Sequence, residues 1–134
     1  MFILHEHNEE DSKEINQILV EENIEDLSDE GLVYTIIEDD NICGIAKAEI
    51  INEDWTLKYL VIKKASRGEN LGDALLRALL SKLDNQGIKK ILYKEANSYL
   101  AKKGFELNKN NRLELHIPDI FKKGCNSCGG CNDL

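Results

Sequence analysis

The stretch from Tyr59 to Leu83 constrains the fold most, because an apolar strand, a short glycine-bearing turn and an amphipathic helix follow one another there. The apolar run ends at Ile62, the turn contains Arg67 and Gly68, and leucines recur at helical spacing from Leu71. The first N–H groups of a helix lack partners within the helix, and its dipole adds about half a positive charge there. This order of elements predicts a site for a phosphorylated ligand.

Length and charge limit the classes of protein to consider. The 134 residues correspond to one ordinary domain. No apolar run approaches the about 20 residues of a membrane helix, and no signal peptide precedes the fold, so we expect a cytoplasmic protein without a membrane partner. The net charge of −8 divides into −15 over residues 1–56 and +7 over residues 57–134. The acidic half would repel nucleic acid and attract a cationic partner, unless both halves carry only solvated charges.

Three of the four cysteines, Cys125, Cys128 and Cys131, lie within the last ten residues. Their spacing is typical of a thiolate knuckle for zinc or an iron–sulfur cluster, and a fourth ligand would come from Cys43, His116 or a second subunit. Reactive or redox-active thiols, and a tail without function, are the alternatives. We therefore predict a domain over residues 1–117, ended by Pro118, and a cysteine-rich tail over 118–134.

The periodicity along the chain predicts mixed helices and strands in the order β-α-β-β-β-α-β-α-β-β. The turns Asp39-Asp40-Asn41 and Asn52-Glu53-Asp54 separate three consecutive strands, which indicates an antiparallel meander. Gly87 follows the long helix where a left-handed residue is expected.

Two motifs in this setting resemble those of the GNAT superfamily of acetyl-CoA-dependent N-acetyltransferases. The family pattern Gln/Arg-x-x-Gly-x-Gly/Ala matches Arg67-Gly68-Glu69-Asn70-Leu71-Gly72, with asparagine in place of the central glycine. The second motif, Asn…Gly-Phe, matches Asn97 and Gly104-Phe105 about 30 residues later. The resemblance covers roughly residues 1–117 and implies a GNAT-like acyl-CoA N-acyltransferase fold, α/β with a mixed, mostly antiparallel sheet and flanking helices.

The resemblance also implies which residues bind the cosubstrate, acetyl-CoA. Leu60, Val61 and Ile62 match the strand that pairs with the pantetheine arm, which the family holds between its splayed fourth and fifth strands. The turn from Arg67 to Gly72 matches the pyrophosphate loop, and Asn97 matches a residue that touches the cofactor. Asparagine tolerates positive φ better than most residues, so we expect Asn70 to preserve the turn.

The family's usual acid and base are not at their usual positions. Leu100 occupies the position of the tyrosine acid, and its neighbour Tyr99 is the nearest phenol. Lys58 and Tyr59 occupy the position of the glutamate base on the fourth strand, which leaves Glu49 on the neighbouring strand as the candidate base. The alternative for Glu49 is an exposed strand residue without a catalytic role.

Two functions of different class follow from these features. The first is acetyl transfer from acetyl-CoA to a primary amine of a small molecule, a protein N-terminus or a lysine, with a cationic acceptor drawn to the acidic half. The second is a non-catalytic acyl-CoA-binding module whose cysteine tail senses metal or redox state. In either case we expect a monomer or a homodimer. The acceptor would depend on the loop around Ser28–Gly31 and on the terminal hairpin.

Overall fold

Strands and helices follow one another along the computed structural model in nearly the predicted order. The structure describes the backbone of residues 2–6, 12–25, 31–63, 66 and 70–126, and the side chains of these residues except 2–6, 12 and 122–126. The strands are β1 (Phe2–Glu6), β2 (Leu32–Glu38), β3 (Asn41–Ile51), β4 (Asp54–Ile62), β5 (Lys90–Tyr93), β6 (Glu106–Leu107) and β7 (Leu113–His116). The helices are α1 (Ser12–Glu21), α2 (Leu71–Asn85), α3 (Ser98–Lys102) and α4 (Ile117–Asn126).

The described strands form a sheet in the order β1-β2-β3-β4-β5-β7-β6. The pairs β1–β2, β2–β3, β5–β7 and β6–β7 are antiparallel, and β4 pairs with β5 in parallel, with Thr56 opposite Leu92. Asn52 and Glu53 both have positive φ between β3 and β4, as expected of a tight antiparallel hairpin turn. This mixed, mostly antiparallel sheet with flanking helices confirms the predicted fold class.

The first of two compact units comprises Met1–Glu49 and Leu57–Leu79. On one face of its sheet, residues of α1 pack with residues of β3 and β4. This cluster comprises Ile15, Ile18, Leu19, Ile42, Ile45, Tyr59 and Val61. On the other face, a Cβ built on Gly44 would lie 2.6 Å from Ile62 Cδ1 and 3.3 Å from Leu75 Cδ2. The missing side chain at Gly44 therefore lets α2 and the end of β4 pack close to β3.

The second compact unit comprises Ile50–Thr56 and Leu80–Leu134. Its part of α2 ends as predicted, because Gly87 has φ +85 and Ile88 N donates to Leu83 O at 2.9 Å. Among the side chains of this unit that the structure describes, the buried apolar ones are Leu80, Leu83, Ile91, Leu92, Leu100, Phe105, Leu113, Leu115, Ile117 and Ile120.

The chain beyond β7 differs from the sequence expectation. Pro118 does not end the fold, because helix α4 begins at Ile117, and both Ile117 and Ile120 are buried. A proline in the first turn of a helix is tolerated, since its missing N–H would have had no helical partner. The boundary between a domain over 1–117 and a tail over 118–134 stays a prediction. In the part of the chain that the structure describes, no helix is long and apolar enough to cross a membrane.

Candidate active site

The strand predicted to bind the cosubstrate is the second half of β4. Leu57, Tyr59 and Val61 are buried, whereas Leu60 and Ile62 are only partly buried. The parallel pairing of β4 with β5 includes Thr56 and Leu92, and β5 ends one residue after Leu92, whereas β4 continues to Ile62. The predicted residues Leu60, Val61 and Ile62 thus form the last three positions of the longer strand.

The second half of β4 also contains one residue more than the facing part of β3. The turn at Asn52-Glu53 aligns the start of β4 so that a regular ladder would bring Ile62 opposite Cys43. Instead, Lys63 N donates to Cys43 O at 2.8 Å, and Ile62 lies on the face of Gly44. An extra residue bends a strand and takes one residue out of the ladder. The region predicted to pair with a pantetheine arm is therefore irregular.

The start of α2 has the backbone that the sequence predicts for the turn. Asn70 has φ 60, in the left-handed region, and its carbonyl accepts from Ala74 N at 3.2 Å. Leu71 is buried and anchors the helix start. Asp73, in the first turn of the helix, accepts from Arg77 Nε at 2.9 Å, so the arginine balances its negative charge. Gly72 follows Leu71 in the first turn.

The rest of the predicted phosphate turn, Arg67, Gly68 and Glu69, lies outside the described residues. Their assignment to the cosubstrate stays a prediction. Asn70, Leu71 and Gly72 are the part of the turn that the structure describes, and they have the conformation that a glycine-type turn at a helix start requires.

The candidate base, Glu49, is buried, so the expectation of an exposed strand residue is wrong. Its Oε1 lies 3.1 Å from Lys58 Nζ on the next strand. A carboxylate withdrawn from water keeps its charge at tolerable cost only when it is paired or hydrogen-bonded. The ion pair thus joins the candidate base on β3 to Lys58, the β4 residue at which the resemblance leads us to expect a glutamate. The regular alignment set by the turn at Asn52-Glu53 places Glu49 and Lys58 on the same face of the sheet, as this pair requires. The extra residue of β4 therefore falls after Lys58.

Gly31 brings the end of a predicted acceptor loop against the same region of β3. Gly31 has φ +114, and a Cβ at this position would lie 2.6 Å from Ala48 O and 2.9 Å from Glu49 Cβ. The same Cβ would lie 3.3 Å from Lys47 Cε, and Lys47 is buried with 3% of its surface exposed. Residues Ser28–Glu30 of that loop lie outside the described residues.

Sequence reasoning missed the burial of Lys47 and the pairing of Lys58. β3 is buried without interruption from Ile42 to Glu49. The signal available in the sequence was the central place of this strand in a predicted meander, since a strand covered on both faces buries its polar residues as well.

The second motif has a structural role in its own unit. Asn97 caps α3, because its Oδ1 accepts from Leu100 N at 3.0 Å. Leu100 is buried, whereas Tyr99 is 39% exposed, and Lys103 Nζ lies 5.3 Å from the centre of its ring. Phe105 is buried, and its N–H donates to Leu100 O at 3.1 Å. The neighbouring positions 99 and 100 therefore point in different directions, as their helical spacing predicts.

The predicted metal ligands are almost entirely outside the described side chains. Cys125 is part of α4, but only its backbone is described, and Cys128 and Cys131 lie outside the described residues. Among the residues that are described, no group of three or more His, Cys, Asp or Glu side chains is arranged to hold a metal. Zinc or iron–sulfur binding at the tail stays a prediction.

Burial shifts the pKa values of the Cys43 thiol and the Tyr93 phenol. Burial raises the pKa of the Cys43 thiol, which donates to Ile36 O at 3.4 Å, and a hydrogen bond with Ser66 partly opposes the shift. Cys43 is the extra residue of β3 where its register with β2 slips between Ile36 and Ile37. Burial also raises the pKa of Tyr93, the last residue of β5, and the charge of Glu95 adds to the shift.

Comparisons with known proteins bear on the family and the fold of the chain. The family model described as the acetyltransferase (GNAT) family matches residues 1–105. A search of curated protein sequences finds no significant match.

Solved structures extend the comparison to the fold. An acetyltransferase of the GNAT family from Staphylococcus aureus Mu50 has a TM-score of 0.70 at 17% identity, and the match covers 87% of this chain and 99% of that one. A GNAT family acetyltransferase from Brucella melitensis, solved with acetyl-CoA, has a TM-score of 0.67 at 17% identity, with 87% and 88% covered. The ribosomal-protein-S18-alanine N-acetyltransferase from Escherichia coli has a TM-score of 0.64 at 15% identity, with 85% and 89% covered. These similarities show a common fold.

Proposed function

The chain belongs to the acetyltransferase (GNAT) family, and from that premise we propose that it transfers the acetyl group of acetyl-CoA to a primary amine. The amine belongs to a small molecule, a protein N-terminus or a lysine side chain, and it arrives as a cation. The acidic charge of residues 1–56 supports a cationic acceptor, because a negative field raises the local concentration of cations.

The backbone of Asn70 carries the cosubstrate part of the proposal. A left-handed residue directly before α2 turns the chain so that the first N–H groups of the helix are presented to a phosphate. The residues of Asn70–Gly72 fit a pyrophosphate group in their conformation, and Arg67 would add a positive charge. Acetyl-CoA supplies an activated acyl group, a thioester with a thiol leaving group.

The irregular half of β4 holds the reacting end of the cosubstrate in this proposal. Leu60, Val61 and Ile62 offer backbone N–H and C=O groups to the pantetheine arm, as an added strand does. An N–H group that leaves the ladder at the extra residue can donate to the thioester oxygen, where negative charge develops during transfer. Positioning of the two reactants alone is worth about 7 kcal/mol or more of the barrier.

Glu49 takes the proton of the acceptor ammonium in this proposal. Its side chain is buried, its carboxylate is paired with Lys58, and Gly31 lies against its Cβ, so the carboxylate is held in place and partly shielded from water. The acceptor ammonium would compete with the Lys58 ammonium for the same oxygens and give up its proton there, directly or through a water. Tyr99 is the phenol nearest in sequence to the family's acid position, and it is the candidate acid that would protonate the leaving thiolate.

The binding of CoA tests the cosubstrate part by itself. A ligand that binds only the folded state stabilises it by about 2.7 kcal/mol at one hundred times its dissociation constant. We therefore expect millimolar CoA to raise the melting temperature and calorimetry to give one site per chain. No thermal shift together with no heat of binding would refute the proposal.

Leu100 favours a second candidate function, a non-catalytic acyl-CoA-binding module with a sensing tail. The family's tyrosine position holds a buried apolar side chain, so the usual acid is missing there. Multiple-turnover release of CoA in the presence of amines separates the two functions, because a binding module would bind CoA without releasing thiol.

A further inference from the structure

The candidate base is already paired with a primary amine of its own chain. Lys58 Nζ lies 3.1 Å from Glu49 Oε1, and the lysine side chain is 30% exposed while the glutamate side chain is 12% exposed. A lysine ammonium is chemically the same group as the proposed acceptor. We propose that Lys58 is an internal acetyl acceptor, modified on Nζ by acetyl-CoA bound to the same chain. This inference rests on the proposed function.

Lys58 is also close to the strand residues expected to hold the thioester. It precedes Leu60 by two residues, and two residues of extended chain span at most about 7 Å. The flexible four-carbon stem of lysine covers such a distance. Because the extra residue of β4 falls after Lys58, Lys58 lies in the regular part of the ladder, directly before the irregular segment.

The reaction balances with acetyl-CoA as the only co-reactant. The Lys58 ammonium gives one proton to Glu49, and the neutral nitrogen attacks the acetyl carbonyl carbon. A C–N bond forms, the C–S bond breaks, and the second proton passes from nitrogen to the leaving sulfur, so that CoA departs as the thiol. The product is an amide, which has lost the positive charge of the ion pair.

Two other lysine–carboxylate pairs provide an internal control against spontaneous acetylation. Lys89 Nζ lies 2.8 Å from Asp84 Oδ1 with 55% of its side chain exposed, and Lys90 Nζ lies 3.6 Å from Asp54 Oδ1 with 50% exposed. Chemical acetylation in solution should therefore favour Lys89 and Lys90. Acetylation by the proposed route should favour Lys58, although it is the least exposed of the three.

The test is a time course of the full-length protein with acetyl-CoA, followed by peptide mass spectrometry. We expect Lys58 to be acetylated at least about tenfold faster than Lys89 and Lys90, with a first-order rate constant that does not depend on protein concentration. Equal or slower modification of Lys58 would overturn the inference. An apparent first-order rate constant that rises in proportion to protein concentration would also overturn it, since that indicates transfer between chains.

Variants test whether Glu49 assists the acetylation of Lys58, and assays on the same sample distinguish this reaction from acetyl transfer to added amines. Glu49→Gln should slow acetylation of Lys58 at least about tenfold, whereas the matched change Asp84→Asn should leave it unchanged. The comparison of lysines within the unmodified protein decides the question if Glu49→Gln fails to fold. CoA binding and acetylation of added amines, measured on the same sample, show whether a failure concerns Lys58 alone or acetyl transfer as a whole.

Discussion

Replacement of Asn70 measures directly what the left-handed turn contributes. The side chain of Asn70 is exposed and φ is 60, so a substitution there changes the backbone cost without removing packing. The left-handed conformation costs most residues about 1–2 kcal/mol, a β-branched residue suffers most, and glycine adopts it freely. Asn70→Val should therefore lose about 1–2 kcal/mol in total, and Asn70→Gly should lose almost nothing.

The cost can appear in folding or in binding, and both are measured. If the free protein keeps the turn, the free energy of unfolding falls, and the melting temperature drops by about 4 °C for each kcal/mol at this chain length. If the free protein relaxes the turn, the cost appears when CoA binds, and the dissociation constant rises about 5- to 30-fold.

The assay is thermal unfolding and calorimetric titration with CoA on both variants and the unmodified protein. The sum of the two losses in Asn70→Val should equal the backbone cost, with Asn70→Gly as the matched control. Identical melting temperatures and identical CoA affinities in the two variants would refute the argument that α2 requires a left-handed residue at its start.

Further predictions concern the second motif and the buried thiol. Leu100→Tyr should destabilise the protein by about 1–3 kcal/mol in denaturant unfolding, because Leu100 is buried and the larger side chain overpacks its site; a gain in turnover without loss of stability would contradict this. Tyr99→Phe should change the rate of CoA release by less than about tenfold if positioning dominates, whereas a thousandfold loss in a folded variant would identify Tyr99 as the acid. Cys43 should react with iodoacetamide at neutral pH at least about tenfold more slowly than in denaturant, as followed by peptide mapping, because burial raises its pKa. Because the pKa of Cys43 is raised in the folded state, the contribution of the neutral thiol to the free energy of unfolding is present below the ordinary thiol pKa and is lost as the pH rises through the folded pKa. Equal alkylation rates in the folded and the denatured protein would contradict the burial of Cys43.

The parts of the fold predicted from sequence are those with local causes. Leucines at helical spacing in α2 are buried as expected, and Gly87 ends the helix in the left-handed region. Asn70 has the positive φ inferred from the motif. Each of these depends on a few neighbouring residues, so that periodicity or residue type is sufficient to predict it.

The parts that could not be predicted depend on contacts between distant segments. Whether Glu49 is exposed depends on what covers β3, and its partner Lys58 becomes visible only through the alignment of two strands. The residue pattern does not indicate the extra residue in β4, because Tyr59, Leu60 and Val61 are all residue types that are common in regular strands. The helix over Ile117–Asn126 could not be predicted, because Pro118 is compatible both with the end of the fold and with the first turn of a helix.

Multiple-turnover acetyl transfer is the decisive measurement of the proposed enzymatic activity. Purified protein is incubated with acetyl-CoA and a panel of primary amines that includes polyamines, amino acids and peptides with free N-termini or lysines, and thiol release and acetylated amine are both quantified. We expect amine-dependent release over many turnovers for at least one acceptor, with kcat/KM falling about 10²- to 10⁴-fold in Glu49→Gln. Binding of CoA without amine-dependent release for any acceptor would contradict acetyl transfer and would favour the acyl-CoA-binding module.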